Sequence, residues 1–211
     1  MEALILAAGI TKTNEGFPED SKPKCLFHVK GNVILERLVY QLYEAGVDVV
    51  HIAIGYKEDM IRDYCTQNSL QVHLISVPNW DTDAGDSILV PLRMIKDDIL
   101  IVPGDLYCDT KNLREIVDSI EQVVIRKRDW ECYILKVSKE LIPKLINDLP
   151  LWWNGWENAH KQRGDFEVVN CWGIKLMLHL QIWALHEEGT KVIKAGKQDI
   201  DRYSQTDEGK P

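Results

Sequence analysis

The chain has little clustered positive charge. Its 211 residues carry 25 Lys and Arg against 33 Asp and Glu, a formal net charge of -8, and the longest basic cluster is Arg126-Lys127-Arg128. Nonspecific attraction to nucleic acid or to an anionic membrane surface is therefore excluded as a main function. Paired cysteines are also absent. Cys25, Cys65, Cys108, Cys132 and Cys171 are odd in number and widely spaced, with no CxxC, so neither a disulfide framework nor a zinc ribbon is indicated. Reduced, mostly buried thiols in a cytoplasmic protein are the expectation. The first apolar run, Ala3 to Ala8, is too short to span a bilayer and has no basic flank, so no membrane segment is expected. No internal repeat is visible, and the six histidines (His28, His51, His73, His160, His179, His186) form no ligand pattern. What is there is an ordinary globular composition, 45% hydrophobic and 27% charged. The length suits a single domain, residues 1–211, with a core large enough to need no staples.

Ala3 to Ala8 is a continuous apolar run stopping at Gly9, as in a strand buried on both faces of a parallel sheet. A long polar loop with Gly16, Pro18 and Pro23 follows, and long loops after a first strand are more often functional than decorative. Apolar spacing over Val33 to Gly46 predicts a helix closed by Gly46. The same reading predicts strands at Val49–Ile54, Val72–Val77, Ile99–Pro103 and Cys132–Val137. It predicts helices at Glu58–Tyr64, at Asp86–Lys96 interrupted or kinked by Pro91, and at Asn112–Val124. From about Lys139 the chain is harder to place. It holds five of the seven tryptophans, a helix expected over Ile174–Glu188, and a polar tail, Gln198–Pro211, expected to be partly disordered. Alternation of strands and helices implies the α/β class: a mostly parallel central sheet flanked by helices, with ligands at the carboxyl ends of the strands.

A series of segments in order carries a resemblance. Leu4-Ile-Leu-Ala-Ala-Gly9, a polar loop and Lys22-Pro-Lys-Cys-Leu26 resemble the signature of nucleotidyltransferases that activate sugar phosphates and related phosphorylated alcohols. His28-Val-Lys-Gly31 with the Val33 helix, Ile52-Ala-Ile-Gly-Tyr56, Val102-Pro-Gly-Asp105 and Gln198-Asp-Ile-Asp201 resemble later motifs of that family. The resemblance implies a Rossmann-like nucleotidyltransferase fold, with residues 1–138 binding nucleotide and 139–211 forming a small acceptor and metal lobe. Leu6, Ala7, Ala8 and Gly9 would let backbone approach the nucleotide, and Lys12 would line its phosphates. Gly85, Asp86 and Ser87 would meet base or ribose. Lys24 would stabilise charge at the α-phosphate as the catalytic cation, and Asp105 with Asp201 would hold Mg2+. The partners implied are a nucleoside triphosphate and a small phospho-acceptor.

The chain departs from the family in its phosphate loop. Where the family has glycine, a hydroxyl residue and arginine, this chain has Thr11, Lys12 and Thr13. An arginine there would grip phosphate with a fork that lysine does not reproduce. A non-catalytic binding homologue is therefore a second reading. A nucleotide-sugar glycosyltransferase is a third, disfavoured because Asp105-Leu-Tyr-Cys-Asp109 is not Asp-x-Asp. The short length, with Trp130-Glu131 and Trp152-Trp153, resembles the CTP:phosphocholine cytidylyltransferases, where tryptophan faces and a carboxylate receive a quaternary ammonium. Trp130, Trp152 and Trp153 are accordingly acceptor candidates. Trp156, Trp172 and Trp183 read rather as a packing edge or an oligomer interface, such as that of a homodimer.

Overall fold

The structure is a computed structural model. It describes residues 1–9, 22–79, 86–128, 131–151, 180, 183–194 and 200–202, with backbone alone at 127, 128, 131–133 and 200–202. Strand β1 (Glu2–Ala7) lies between β4 (Val49–Ile54) and β6 (Ile99–Pro103), parallel to both. Beyond β4 comes β5 (His73–Ser76). Beyond β6 come β9 (Glu131–Val137), β8 (Val123–Arg128) and β10 (Lys191–Lys194), giving the order β10-β8-β9-β6-β1-β4-β5. β9 runs antiparallel to both of its neighbours, and every other pair in this sheet is parallel; a separate short hairpin pairs β2 (His28–Val29) with β3 (Asn32–Val33).

Strand pleating explains the two-sided burial. Ala3, Ile5 and Ala7 of β1 join one core, under α1 (Ile34–Glu44), α2 (Glu58–Gln67) and α4 (Thr110–Val117). Leu4 and Ala8 join the other, with Ile88 and Leu92 of α3 (Asp86–Leu92), Leu145 and Leu149 of a helical run over 142–151, and Trp183. Period two along one strand thus feeds both layers, which is why the sequence reads as an unbroken apolar run.

The sequence-predicted elements through β6 stand, with boundaries moved by one to a few residues. Of the two outcomes expected at Pro91, interruption is the one seen: α3 ends at Leu92, one residue after a proline that brings no N–H to the ladder, and does not reach Lys96. The larger correction concerns Asn112–Val124. The helix there covers Thr110–Val117, and Val123–Arg128 is a strand. Ile120, which lies inside that predicted helix, is 96% exposed. The physical reason is Lys136 on β9. Its buried ammonium donates to the carbonyl of Val117 at 3.1 Å and to that of Ser119, satisfying carbonyls that a continuing helix would have bonded. Burial lowers the Lys136 pKa, opposed by the charges of Asp98, Glu121 and Asp118. Trp183 was read as a packing edge or an interface; it is packed inside, 1% exposed, donating to Asp148 at 3.0 Å. Within the tail expected to be partly disordered, Ile200–Arg202 forms strand β11.

Candidate functional site

The site is built where β1 and β6 end side by side. Leu6 pairs with Pro103, and one residue further the Gly104 amide donates to the Leu6 carbonyl at 2.9 Å. A Cβ on Gly104 would lie 2.9 Å from that carbonyl oxygen and 3.1 Å from the Ala7 Cβ. Only glycine lets the β6 end come this close, and Asp105, 8% exposed, follows immediately. On the other flank the Tyr56 amide donates to the Ala8 carbonyl at 3.0 Å, so the chain leaving β4 closes against the same corner. Gly9 is exposed at its rim.

Pro23 and the 3-10 turn Lys24–Leu26 bring the Pro-Lys segment back to this corner. Ala7, Cys25 and Leu26 belong to one buried cluster. Burial pushes the Cys25 thiol far up from its ordinary pKa, with further upward pressure from Cys65 and from the negative charge of Asp105. Lys24, half-buried, is the residue adjoining that thiol. Asp105 and the Lys24 turn thus belong to one electrostatic neighbourhood.

After Asp105 the chain enters β7 (Leu106–Cys108), which pairs antiparallel with β11 (Ile200–Arg202). Asp201 stands in register with Tyr107. Two aspartates almost a hundred positions apart in sequence are therefore separated by one cross-strand pair and two residues of β7. Among the described side chains no three of His, Cys, Asp and Glu converge on a metal geometry. A hard divalent cation needs only one or two carboxylates and completes its shell with phosphates and water, so a single described aspartate is not at odds with one.

Asp86 and Ser87 begin α3 and are half-buried; Asn79 Nδ2 donates to Asp86 Oδ2 at 2.8 Å, tying Asn79 to the start of that helix. Lys12, Gly85, Trp130, Trp152 and Trp153 lie outside the described residues. Lys57, which the sequence reading passed over, caps the N-terminus of α2 in the left-handed conformation, φ 47°, beside the Tyr56–Ala8 closure. A lysine in that conformation gives no sequence signal, since glycine and asparagine are the residues expected there. No helix among the described residues is long and apolar enough to cross a membrane.

A parallel sheet whose first strand ends in small residues, beside a Gly-Asp corner and a returning Pro-Lys turn, defines an α/β domain of the nucleotide-handling class. Residues 3–150 match the MobA-like NTP transferase domain, and the chain belongs to that family. It is 28% identical over 130 residues to the bifunctional protein GlmU of Methanococcus maripaludis (strain C5), covering 61% of this chain and 30% of that one. It is 24% identical over 110 residues to the D-glycero-alpha-D-manno-heptose 1-phosphate guanylyltransferase of Campylobacter jejuni, covering 52% and 49%. The chain thus spans under a third of the GlmU relative and about half of the guanylyltransferase. Among solved structures it is similar in fold to the CTP:phosphocholine cytidylyltransferase of Streptococcus pneumoniae, with a TM-score of 0.62 at 16% identity over 96% of this chain and 93% of that one.

Proposed function

We propose that the protein transfers a nucleoside monophosphate, CMP from CTP, to a small phosphorylated or phosphonate acceptor. An acceptor phosphate oxygen forms a bond to the α-phosphorus while the bond from that phosphorus to the bridging oxygen breaks, and pyrophosphate leaves. One observation carries the reading: Gly104 holds Asp105 against the end of β1, while β11 sets Asp201 opposite Tyr107, two residues further on. Lys24 is assigned to the α-phosphate, where negative charge builds in the transition state. Leu6 to Gly9 and Lys12 are assigned to the nucleotide, Gly85, Asp86 and Ser87 to ribose or base, and Trp130, Trp152 and Trp153 to the acceptor. Asp105 and Asp201 would hold Mg2+, which when bound neutralises phosphate charge and orients the leaving pyrophosphate. CTP is preferred over other nucleotides on the chain's likeness in fold, over nearly its whole extent, to a cytidylyltransferase.

The test is pyrophosphate release from each of the four nucleoside triphosphates with a panel of acceptors that includes phosphocholine and hexose 1-phosphates. Turnover with CTP, abolished by Asp105→Asn, is the expected result. Turnover with another nucleotide alone would overturn the choice of base. The loop at Thr11, Lys12 and Thr13 favours one second reading, a homologue that binds nucleotide without transferring it. Calorimetry showing metal-independent nucleotide binding, with no pyrophosphate released from any pair, would select that reading.

A further inference from the structure

Helix α1 reaches beyond its own core contacts to grip the strand that follows Asp105. The Arg37 guanidinium lies over the Tyr107 ring, 3.8 Å from its centre, donates to the Cys108 carbonyl at 3.3 Å and stands 3.8 Å from the Asp109 carboxylate. Gln41, one turn along, donates to the same carbonyl at 2.8 Å. The Lys30 ammonium is 5.4 Å from the centre of the same ring. From the sheet, buried Arg126 donates to Asn112 at 2.7 Å and to Glu115 at 2.6 Å on α4, just past β7. Burial raises the Cys108 pKa, and the charges of Arg37 and Arg126 oppose it.

This grip falls on a weak element. Strands β7 and β11 pair with each other in a sheet of two, separate from the seven-stranded sheet. Two-stranded ribbons are marginal without packing against something else. Tyr107, the residue α1 holds, is the register partner of Asp201. A guanidinium stacked on an aromatic face while also bonding a carbonyl fixes both tilt and height, which a lone ammonium does not.

We infer that Arg37 is a positioning residue for the metal pair. Through the Tyr107 ring and the Cys108 carbonyl it sets how far Asp201 stands from Asp105. The inference rests on the assignment of those two aspartates to a divalent cation. Residues that act one layer behind metal ligands typically change affinity by 10 to 100-fold; for Arg37, which acts through a strand, the expectation is the lower end, about tenfold.

The experiment titrates Mn2+ alone into the protein and counts free ion by electron paramagnetic resonance, with circular dichroism and Tm measured on each variant. Arg37→Met keeps the length and apolar stem while removing the fork, and Tyr107→Leu keeps an apolar contact with Phe27, Val29 and Ile34 while removing the ring. Both are expected to weaken Mn2+ about tenfold at near wild-type Tm. Arg37→Lys, which restores a cation over the ring, recovers part of the loss. If Asp105→Asn abolishes Mn2+ binding while Arg37→Met and Tyr107→Leu bind it as wild type does, the positioning role is overturned and the metal assignment survives. If wild type takes up no Mn2+, or Asp105→Asn binds it unchanged, the metal assignment falls and this inference with it. Should Arg37→Met fail to fold, Tyr107→Leu decides the question by the same readout.

Discussion

Where β1 meets β6, Leu6 and Pro103 are parallel partners, the Gly104 amide bonds the Leu6 carbonyl, and Ala7 leaves no space for a Cβ on Gly104. Where β7 meets β11, three residue pairs bridge a ribbon that α1 secures through the long side chains of Arg37 and Gln41. The first region is backbone and small residues; the second is side chains reaching across the fold. Backbone contacts at van der Waals limits tolerate almost nothing. Side-chain tethers can be loosened by degrees, and their loss should appear in binding before it appears in folding.

Asp105 belongs to the rigid region and gives the largest expected effect. Asp105→Asn preserves shape and removes the charge. If the carboxylate holds a divalent cation, the loss is several kcal/mol of transition-state stabilisation, about a thousandfold in kcat. Stopped assays of pyrophosphate release check it, and a loss below about tenfold would remove Asp105 from the chemistry. Gly104→Ala comes next and probes the same region by sterics alone. Forcing a methyl to within 2.9 Å of the Leu6 oxygen should cost about 2 kcal/mol, read as a shift in urea midpoint. Wild-type stability in that variant would mean that the two strand ends separate readily, and the contrast between the regions would be lost. Lys24→Gln follows, with an expected drop of about a hundredfold in kcat and little change in Tm, since Lys24 is half-buried at the edge of its turn.

The contrast also explains what was legible in the sequence. The strand ends were readable because small residues and Gly-Asp at the end of an apolar run leave a local signature: Ala7, Ala8, Gly104 and Asp105 all stand at the corner the pattern implied. Asp201 was placed by motif resemblance, yet its surroundings were read as a loose tail. A three-residue strand with two charged members has no periodicity to detect, and its pairing with β7 is a contact across more than ninety residues. The Arg37–Tyr107 stack was invisible for the same reason. Arg37 and Gln41 look like the solvated face of an amphipathic helix, and only the tertiary fold discloses that this face meets Cys108. At β8 the error had another source. Leu113, Ile116, Val117 and Ile120 fit a helical stripe, and the buried Lys136 that ends the helix lies on a later strand.

The smallest effect expected is a pH dependence that separates the two regions through their thiols. Cys25 lies beside Asp105, and Cys108 at the root of β7; both are buried. Burial raises the Cys108 pKa to about 12, against the lowering influence of Arg37 and Arg126. In an unfolded chain a thiol ionises near 8.5. Above that pH the unfolded chain has released a proton that the folded one retains, so stability falls as pH rises, until the folded thiol itself ionises near pH 12. Below about pH 8 this source gives no dependence. Each such thiol adds a downward slope of about 1.4 kcal/mol per pH unit at its steepest. Urea unfolding of wild type, Cys25→Ala and Cys108→Ala between pH 7 and 10.5 reads it directly: each variant should lose stability with a shallower alkaline slope. If the ribbon opens locally while the β1–β6 corner stays closed, Cys108 meets solvent without global unfolding. Cys108→Ala then changes the slope less than Cys25→Ala does. Equal changes would mean that the ribbon and the corner unfold as one unit, and that the tethers from α1 bind them as firmly as backbone does.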